Sequence, residues 1–409
     1  MNIYDVIIIG GGAAGLFCAA CHAPKTKGLI LEKSNKAGTK LLMSGSGQCN
    51  FTHAGDIKHF LNKYGQHGQK IRTALYKFNN LAAINYFERQ GLKSIIRDDG
   101  KVFPATFNSN DILNILLRES FANGFEILYE NPVTGISFND GVYTVSSGCH
   151  QYHCNKLVIA TGGCSYPSTG SDGNMFKMLK SIGLSVSLPK PALVPIFVQN
   201  YPYSSLSGVS FENVKISIKN NNTVYKSTGP LLFTFNSFSG PGILDMSRYA
   251  QPASEISINY FPEKKAIDLI GDIKRYSVGN KRSVPNFIAD IFNIPVRFAE
   301  AVVNRLEPAT TVASLSKDDM HRLAAVFTSD TFSISGTGGF KEAMATSGGV
   351  CLDEIDLRTF ESKKYPRLHI IGEALDIDGN TGGYNIQAAV STAYVASRSI
   401  VGFGFGKVL

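Results

Sequence analysis

The sequence predicts an α/β fold in which a parallel sheet, covered by helices, is assembled from both ends of the chain. A second lobe of short strands and helices is inserted between those ends. Three observations predict this. A continuous apolar strand runs into a glycine turn and a helix in "DVIIIGGGAAG" (Asp5 to Gly15). The next apolar stretch, "GLILE", ends on an acid, Glu32. Far downstream, "PRLHIIG" (Pro366 to Gly372) is another buried strand, followed by a glycine-bearing loop and a helix near Tyr384.

Along the chain, Tyr4 to Ile9 reads as a strand, Ala13 to His22 as a helix and Gly28 to Glu32 as a second strand. Their apolar content is continuous rather than alternating, as in parallel strands covered on both faces. A helix is expected from about Asp111 to Ala122, capped by Ser109 and Asn110. A strand at Glu126 to Tyr129 follows, then a hairpin pairing Val133–Phe138 with Val142–Ser146 through Asn139-Asp140-Gly141. The strand Lys156 to Ala160 closes this region at "ATGG". After Pro189, Pro191 and Pro195, short strands with Gly/Ser/Pro turns run to about Pro262. From Glu263 to about Phe327 the pattern is helical, and after "SISGTGGF" the α/β character returns. The expected layout is a discontinuous nucleotide-binding domain at 1–190 and 336–409, an inserted β domain at 191–262 and a small helical domain at 263–335.

The bulk properties exclude several classes. The chain has 409 residues, 44% hydrophobic and 18% charged, which describes a globular protein of two or three domains. Its apolar runs are far shorter than the roughly 20 residues of a membrane span. No secretory signal is visible, so a cytoplasmic location and no membrane partner are expected. Seven cysteines do not make a disulfide framework. Cys18 and Cys21 fall inside a helical pattern and read as packed core rather than a redox pair. Cys149 and Cys154, with His150 and His153 between them, lack a second ligand cluster, so no metal site is expected. The net charge is +8, and Lys264 to Arg305 alone holds eight Lys/Arg against four acids. Such a face attracts polyanions, but most charge runs are merely solvated, so nucleic acid is disfavoured as a partner.

Each glycine of the turn has a function in a strand–turn–helix unit. Gly10 permits the tight turn, Gly12 lets the backbone approach a pyrophosphate, and Gly15 lets the helix pack close to the strand. With Ala13 and Ala14 they open a helix whose N-terminal N–H groups favour phosphate. Glu32 stands 17 residues beyond Gly15, near the spacing of about 20 expected for the carboxylate that takes the ribose hydroxyls. An acid there disfavours a 2′-phosphate, leaving NAD or FAD.

Later features favour FAD. A second glycine-bearing loop, "KLLMSGSGQCN" (Lys40 to Asn50), follows Glu32 where a simple NAD dehydrogenase continues with helix and strand. "ATGG" (Ala160 to Gly163) ends a strand returning to the edge of the first. "GEALDIDGNTGGYNIQAA" (Gly372 to Ala389) offers a second anchor, with Gly382 and Gly383 before a helix N-terminus. Positive potential there stabilises the anionic pyrimidine side of a reduced flavin. Asp376 and Asp378 are placed to hold ribityl or phosphate-linked hydroxyls, or to act as turn residues.

These segments, with "LVIATGGCSYPSTGSDG", "LLFTFNSFSGPGIL" and "GTGGFKEAMATSGGV", resemble the hallmarks of one bacterial family of NAD(P)/FAD-dependent oxidoreductases. It is the family of aminoacetone oxidases and bile-acid dehydro-reductases. The resemblance runs from about residue 3 to 400, in order and with similar spacing. It implies a Rossmann-like, glutathione-reductase-like FAD-binding domain with an inserted β-barrel-like lobe and a small helical lobe. It implies that Gly10, Gly12, Gly15 and Glu32, with Lys33, hold the ADP half, and that Val133 meets the adenine through its backbone. Lys40, Ser44, Gly45 and Asn50, with Asp376, Gly383, Asn385 and Gln387, are implied along the flavin half. Thr161, Gly162, Gly372, Glu373 and Tyr384 are further cofactor-binding candidates. The chain departs from the family at Thr39 and Gln48, where Arg is usual, which bears on the flavin potential and on anionic substrates.

Hydride transfer between the flavin and a small organic substrate is therefore expected. NAD(P)H is a transient reductant in one version, docking over the flavin, since neither "VGFGFG" (401–406) nor "GTGGF" has the context of a second dinucleotide turn. In the other version the substrate reduces FAD and oxygen reoxidises it. No acid or base stands out. Cys49 reads as structural and His53 as a weaker candidate. An RNA-binding flavoprotein or a basic scaffold is the alternative from another class. The sequence assigns neither a substrate nor an oligomeric state.

Overall fold

The computed structural model describes residues 2–402 and divides into two compact units, 1–191 with 343–409, and 192–342. In the first unit, β1 (Ile3–Ile9), α1 (Ala13–Ala20), β2 (Gly28–Leu31), α2 (Thr39–Met43), α3 (Ser109–Ala122), β3 (Phe125–Leu128) and β4 (His150–Ile159) follow in order. β1 pairs in parallel with β2 on one side and β4 on the other, and β2 pairs with β3. Val6, Ile7, Ile8, Leu29, Ile30, Leu157, Val158 and Ile159 are completely buried, which is why these segments are uniformly apolar. The helix expected from Asp111 begins at Ser109, because Asn108 is its cap, accepting from the Asn110 N–H at 3.1 Å. β4 starts six residues earlier than the sequence suggested. Its first half is a polar extension that pairs with the hairpin strand Val142–Ser147. Cys154 is thereby buried and Cys149 exposed, and among the described residues no cluster of His, Cys, Asp and Glu could hold a metal.

The second unit holds a closed six-stranded antiparallel barrel. Its strands are β5 (Ile196–Val198), β6 (Ser210–Asn220), β7 (Thr223–Phe233), β8 (Phe238–Ser239), β9 (Glu255–Asn259) and β10 (Asp330–Thr337). Between β9 and β10 lie four helices, α4 (Ala266–Ser277), α5 (Val284–Phe292), α6 (Val296–Leu306) and α7 (Lys317–Thr328). Barrel and helices share one apolar core, in which Ile216, Phe233, Ile258, Phe298 and Phe327 are all fully buried. The strand that closes the barrel thus comes after the helices. Within that core Asp330 receives hydrogen bonds from Tyr203 (2.5 Å), Tyr260 (3.1 Å) and Arg305 (2.7 Å). Burial pushes its carboxyl up, and Arg305 and the two tyrosines only partly offset this.

The chain then returns to the first unit through β11 (Ala345–Val350), β12 (Leu368–Ile370) and α8 (Tyr384–Val401). β12 pairs in parallel with β4, so the parallel run reads β12–β4–β1–β2–β3. "VGFGFG" lies mostly outside the described residues. No described helix is long and apolar enough to cross a membrane.

Candidate functional site

The strand ends β1, β2, β4 and β12 converge on one edge of the sheet, and the glycine turn sits among them. Gly10 has φ +105°, and a Cβ there would lie 2.5 Å from the Ala160 carbonyl oxygen at the end of β4. A Cβ on Gly15 would lie 2.0 Å from the Gly10 carbonyl oxygen, so α1 packs against its own turn. Gly12 differs, because nothing lies within 4 Å of where its Cβ would be. It caps α1, and no side chain caps the first N–H groups of the helix. Glu32 is 8% exposed; its Oε2 accepts from the Gly11 N–H and its Oε1 from the Ser34 N–H, both at 2.8 Å. These bonds fix the carboxylate beside the turn.

Around this core lie the other ADP-side candidates. Lys33 pairs with Asp172 at 2.8 Å. Burial raises the Asp172 carboxyl, but Lys33 and the Asn174 N–H outweigh it and hold it below the usual range. The pair brings the loop after β4 over Glu32, with Gly170 against Ser34 and Lys33. Asn131 donates to the Glu32 carbonyl at 2.9 Å, and this places the start of the Val133–Asn139 strand beside the same residue. Gly372 presses on Ala14, whose Cβ would be 2.7 Å from a Cβ at position 372.

Gly372 leads directly to a buried polar cluster. Glu373 Oε2 takes the Lys40 ammonium at 2.6 Å, while Oε1 accepts from Ser165 Oγ (2.8 Å) and the Thr346 N–H (2.7 Å). Lys40 also donates to Ser165 at 2.5 Å. Burial alone raises the Glu373 carboxyl, but Lys40 and these hydrogen bonds prevail and hold it below the ordinary glutamate range. Gly162 adjoins this cluster, with Ser171 Oγ 2.7 Å from its would-be Cβ. Ser165 and Thr346 escaped the sequence reading of single residues, although both lie in glycine-rich segments that it had singled out.

A second cluster forms where α8 begins. Gly383 has φ +94°, and its would-be Cβ meets the Thr52 carbonyl at 2.5 Å and Asn50 Oδ1 at 2.9 Å. The His53 ring stacks on Tyr384 at 5.2 Å. Gly45 lies against Asn50 (2.9 Å to its N), and Ser44 Oγ donates to the Leu41 carbonyl at 2.6 Å. Gln387 is completely buried and spent within the protein: it accepts from Thr52 and donates to the Phe78 carbonyl and Ser391. Asn385 clasps the Gly379 N–H and carbonyl. Asp376 accepts from the Gly348 N–H at 3.0 Å. Each of these three side chains makes hydrogen bonds that brace the loop.

Cys49 is fully buried with φ +59°, and burial pushes its thiol up to about 12, which makes it a poor nucleophile. Thr39 opens α2, and no cation replaces it in sequence. At Gln48, however, Arg97 arrives from the turn between two short strands, Ser94–Ile96 and Lys101–Pro104: it donates to Gln48 Oε1 at 2.7 Å and stacks on Phe103 at 4.1 Å. A guanidinium therefore stands beside position 48, although the sequence motif lacks one. Only the Asp-Gly turn of "IIRDDGKVF" hinted that this residue is on a hairpin.

The profile of the HI0933-like protein Rossmann domain family matches residues 4–399. The chain belongs to that family. It is 30% identical over 414 residues to the ribosomal RNA dihydrouridine synthase of Escherichia coli K12, covering 98% of this chain and 99% of that one. It is 31% identical to the protein of the same name from Haemophilus influenzae, covering 96% and 98%. It is 26% identical to the 3-dehydro-bile acid delta(4,6)-reductase of Clostridium scindens, with the same coverage. Among solved structures, a flavocytochrome c3 fumarate reductase superposes with TM-score 0.52 at 13% identity, covering 98% of this chain and 78% of that one. A 3-ketosteroid-delta4-(5alpha)-dehydrogenase from Rhodococcus jostii RHA1 gives 0.50 at 14%, covering 96% and 97%. These two show the fold alone.

The family member is an FAD-dependent oxidoreductase, and its interior fits that cofactor. Asn50 Oδ1 and Thr161 Oγ1 are buried without a hydrogen-bond partner, one at the α8 cluster and one beside the glycine turn. Orphaned buried polar atoms cost about 1–3 kcal/mol each, so their persistence at both ends of the site matches a bound polar ligand.

Proposed function

We propose that the chain reduces a carbon–carbon double bond conjugated to a carbonyl, and that its substrate is a uridine of ribosomal RNA. What carries this reading is the end-to-end similarity to two ribosomal RNA dihydrouridine synthases at 30% and 31% identity. The third relative, named as a delta(4,6)-reductase, is consistent with the same bond chemistry on a small molecule.

The net change adds a hydride to C6 of the uracil and a proton to C5, with NAD(P)H as the source of the hydride. When bound, FAD supplies the hydride relay between the two. Gly10, Gly12, Ala13, Ala14 and Gly15 would hold its pyrophosphate through the N-terminus of α1, and Glu32 its ribose hydroxyls. Lys33 and the Val133 backbone would flank the adenosine end. Asn50, Thr161 and Gly162 would supply polar contacts to the remainder, and Gly383 and Tyr384 the approach of the α8 N-terminus. Lys40, held by Glu373 and Ser165, fixes a cation in the wall of the site without reorganisation. Asn385, Gln387 and Asp376 act through the loop they brace.

The test is to incubate the yellow holoprotein anaerobically with NADH or NADPH and follow flavin bleaching, then add ribosomal RNA lacking the modification. Mass spectrometry of nucleosides should show uridine converted to dihydrouridine. Bleaching with no dihydrouridine, together with turnover of a small enone, would replace RNA by a small-molecule substrate.

A further inference from the structure

Helix α4 presents an outer face that no contact among the described residues explains. Leu269 and Ile273 are fully buried on its inner side, yet Ile267 is 66% exposed and the C-cap Val278 90%. Ile267, Gly271, Lys274 and Val278 follow at three- and four-residue spacing, which aligns them along one side of the helix. Gly271 is the oddity. It sits mid-helix, where glycine weakens the helix, and nothing lies within 4 Å of its would-be Cβ. No turn and no packing inside the chain requires it, so the open space it leaves is available to something from outside.

The charge around this face points to what that is. Residues 264–282 hold six Lys/Arg against two acids. Lys264 is paired with Asp272 at 2.9 Å, and Arg282 with Asp290. Among the described residues no carboxylate is paired with Lys274, Arg275 or Lys281, all of which are exposed. Unneutralised cations on an exposed face supply the attraction that holds a nucleic-acid backbone.

We infer that the outer face of α4 is an RNA-docking surface. It receives the sugar–phosphate backbone on Lys274 and Arg275, with Lys281 just past the end of the helix, and lets the strand close over Gly271. This deepens, and rests on, the reading that the substrate is RNA.

The experiment measures binding of a fluorescein-labelled uridine-rich RNA to the holoprotein by anisotropy over a range of KCl concentrations. Combined Lys274→Glu, Arg275→Glu and Lys281→Glu should weaken binding by about tenfold or more and make the salt dependence shallower by about 2. Gly271→Leu should also weaken it while leaving Tm unchanged or higher, since leucine favours helix. A folding defect cannot produce that combination. Reversing three exposed barrel lysines, Lys215, Lys219 and Lys226, should leave binding unchanged; an equal loss there would reduce the effect to overall charge and overturn the inference. If the wild type makes dihydrouridine and the α4 variants bind RNA as it does, the surface falls and the function stands. If the wild type neither binds nor modifies RNA, the proposed function itself falls. Concentration-dependent self-association abolished by Gly271→Leu would assign the face to a second copy of the chain instead.

Discussion

Lys40 and Glu373, 333 positions apart, meet at 2.6 Å in the wall of the site. One carboxylate thus ties together α2, the loop after β4, the strand β11 and the loop before α8. Replacing Glu373 by Gln leaves a half-buried ammonium without its counter-ion and should lower stability by about 2–3 kcal/mol at neutral pH. The Glu373 carboxyl is held below its ordinary value, so its contribution is full above that value and fades as pH falls through the depressed one. Urea unfolding at neutral and acid pH should show the wild-type and Gln curves converging at the acid end.

Alanine at Gly12 and alanine at Gly15 should differ in their effect on stability. At Gly15 the added Cβ would meet a backbone carbonyl at 2.0 Å, which no side-chain motion can relieve. Gly15→Ala should cost several °C in Tm and also lose FAD. At Gly12 there is room, so Gly12→Ala should fold normally while placing a methyl where the phosphate would approach. Fluorescence titration with FAD should then show about tenfold or weaker binding at unchanged apoprotein Tm, the loss of roughly one close charge-assisted contact.

Two histidines, one buried and one half-buried, make the first unit acid-sensitive. Burial pulls His369 and His22 down to about 4. Below the ordinary value of about 6.5 the unfolded chain takes up protons that the folded one refuses, so stability falls as pH drops from about 6.5 to 4. For His369, with both ring nitrogens unpartnered, this amounts to about 3 kcal/mol. His369→Leu should flatten that limb of a Tm-against-pH curve and cost little at pH 7.

In the barrel unit, Asp330→Ala strands the partly buried Arg305 and should destabilise by about 3–5 kcal/mol. Asp330→Leu combined with Arg305→Met should recover much of the loss. Thermal unfolding of the single and double variants gives the coupling energy, and strict additivity would mean the two residues do not act as a pair.

The Cys49 thiol should play no part in reduction of the flavin. Cys49→Ala should retain flavin reduction by NAD(P)H within about twofold, because the buried thiol has no route to a thiolate near neutral pH.

The glycine turn and Glu32 were legible because their determinants are local: a strand, a turn and a helix within 30 residues, each glycine with a steric reason. The parallel strands were legible for the same kind of reason, since burial on both faces makes them apolar throughout. The closing barrel strand was hidden, because its first core-facing position is Asp330 rather than an apolar residue. Its solvation by Tyr203, Tyr260 and Arg305 depends on chain segments far away. Ser165, Thr346 and Arg97 were missed as individual residues for a similar reason, since a hydrogen bond across 49 positions, as from Arg97, or across 181, as from Thr346 to Ser165, leaves no mark on the residues beside it. Conversely, Asn385 and Gln387 lay in the right segment, but their amides are used to hold backbone and neighbouring side chains.

The separation of Lys40 from Glu373 also sets an order of events during synthesis. The glycine turn and Glu32 leave the ribosome first and can pair β1 with β2 early. The partner of Lys40, the strand β12 beside β4, and the glycines that open α8 all emerge only after the 151 residues of the second unit. Until then the nascent first unit carries an exposed sheet edge and an uncompensated lysine. The second half of the cradle, and with it any cofactor that bridges both halves, can lock only when the last helix has arrived.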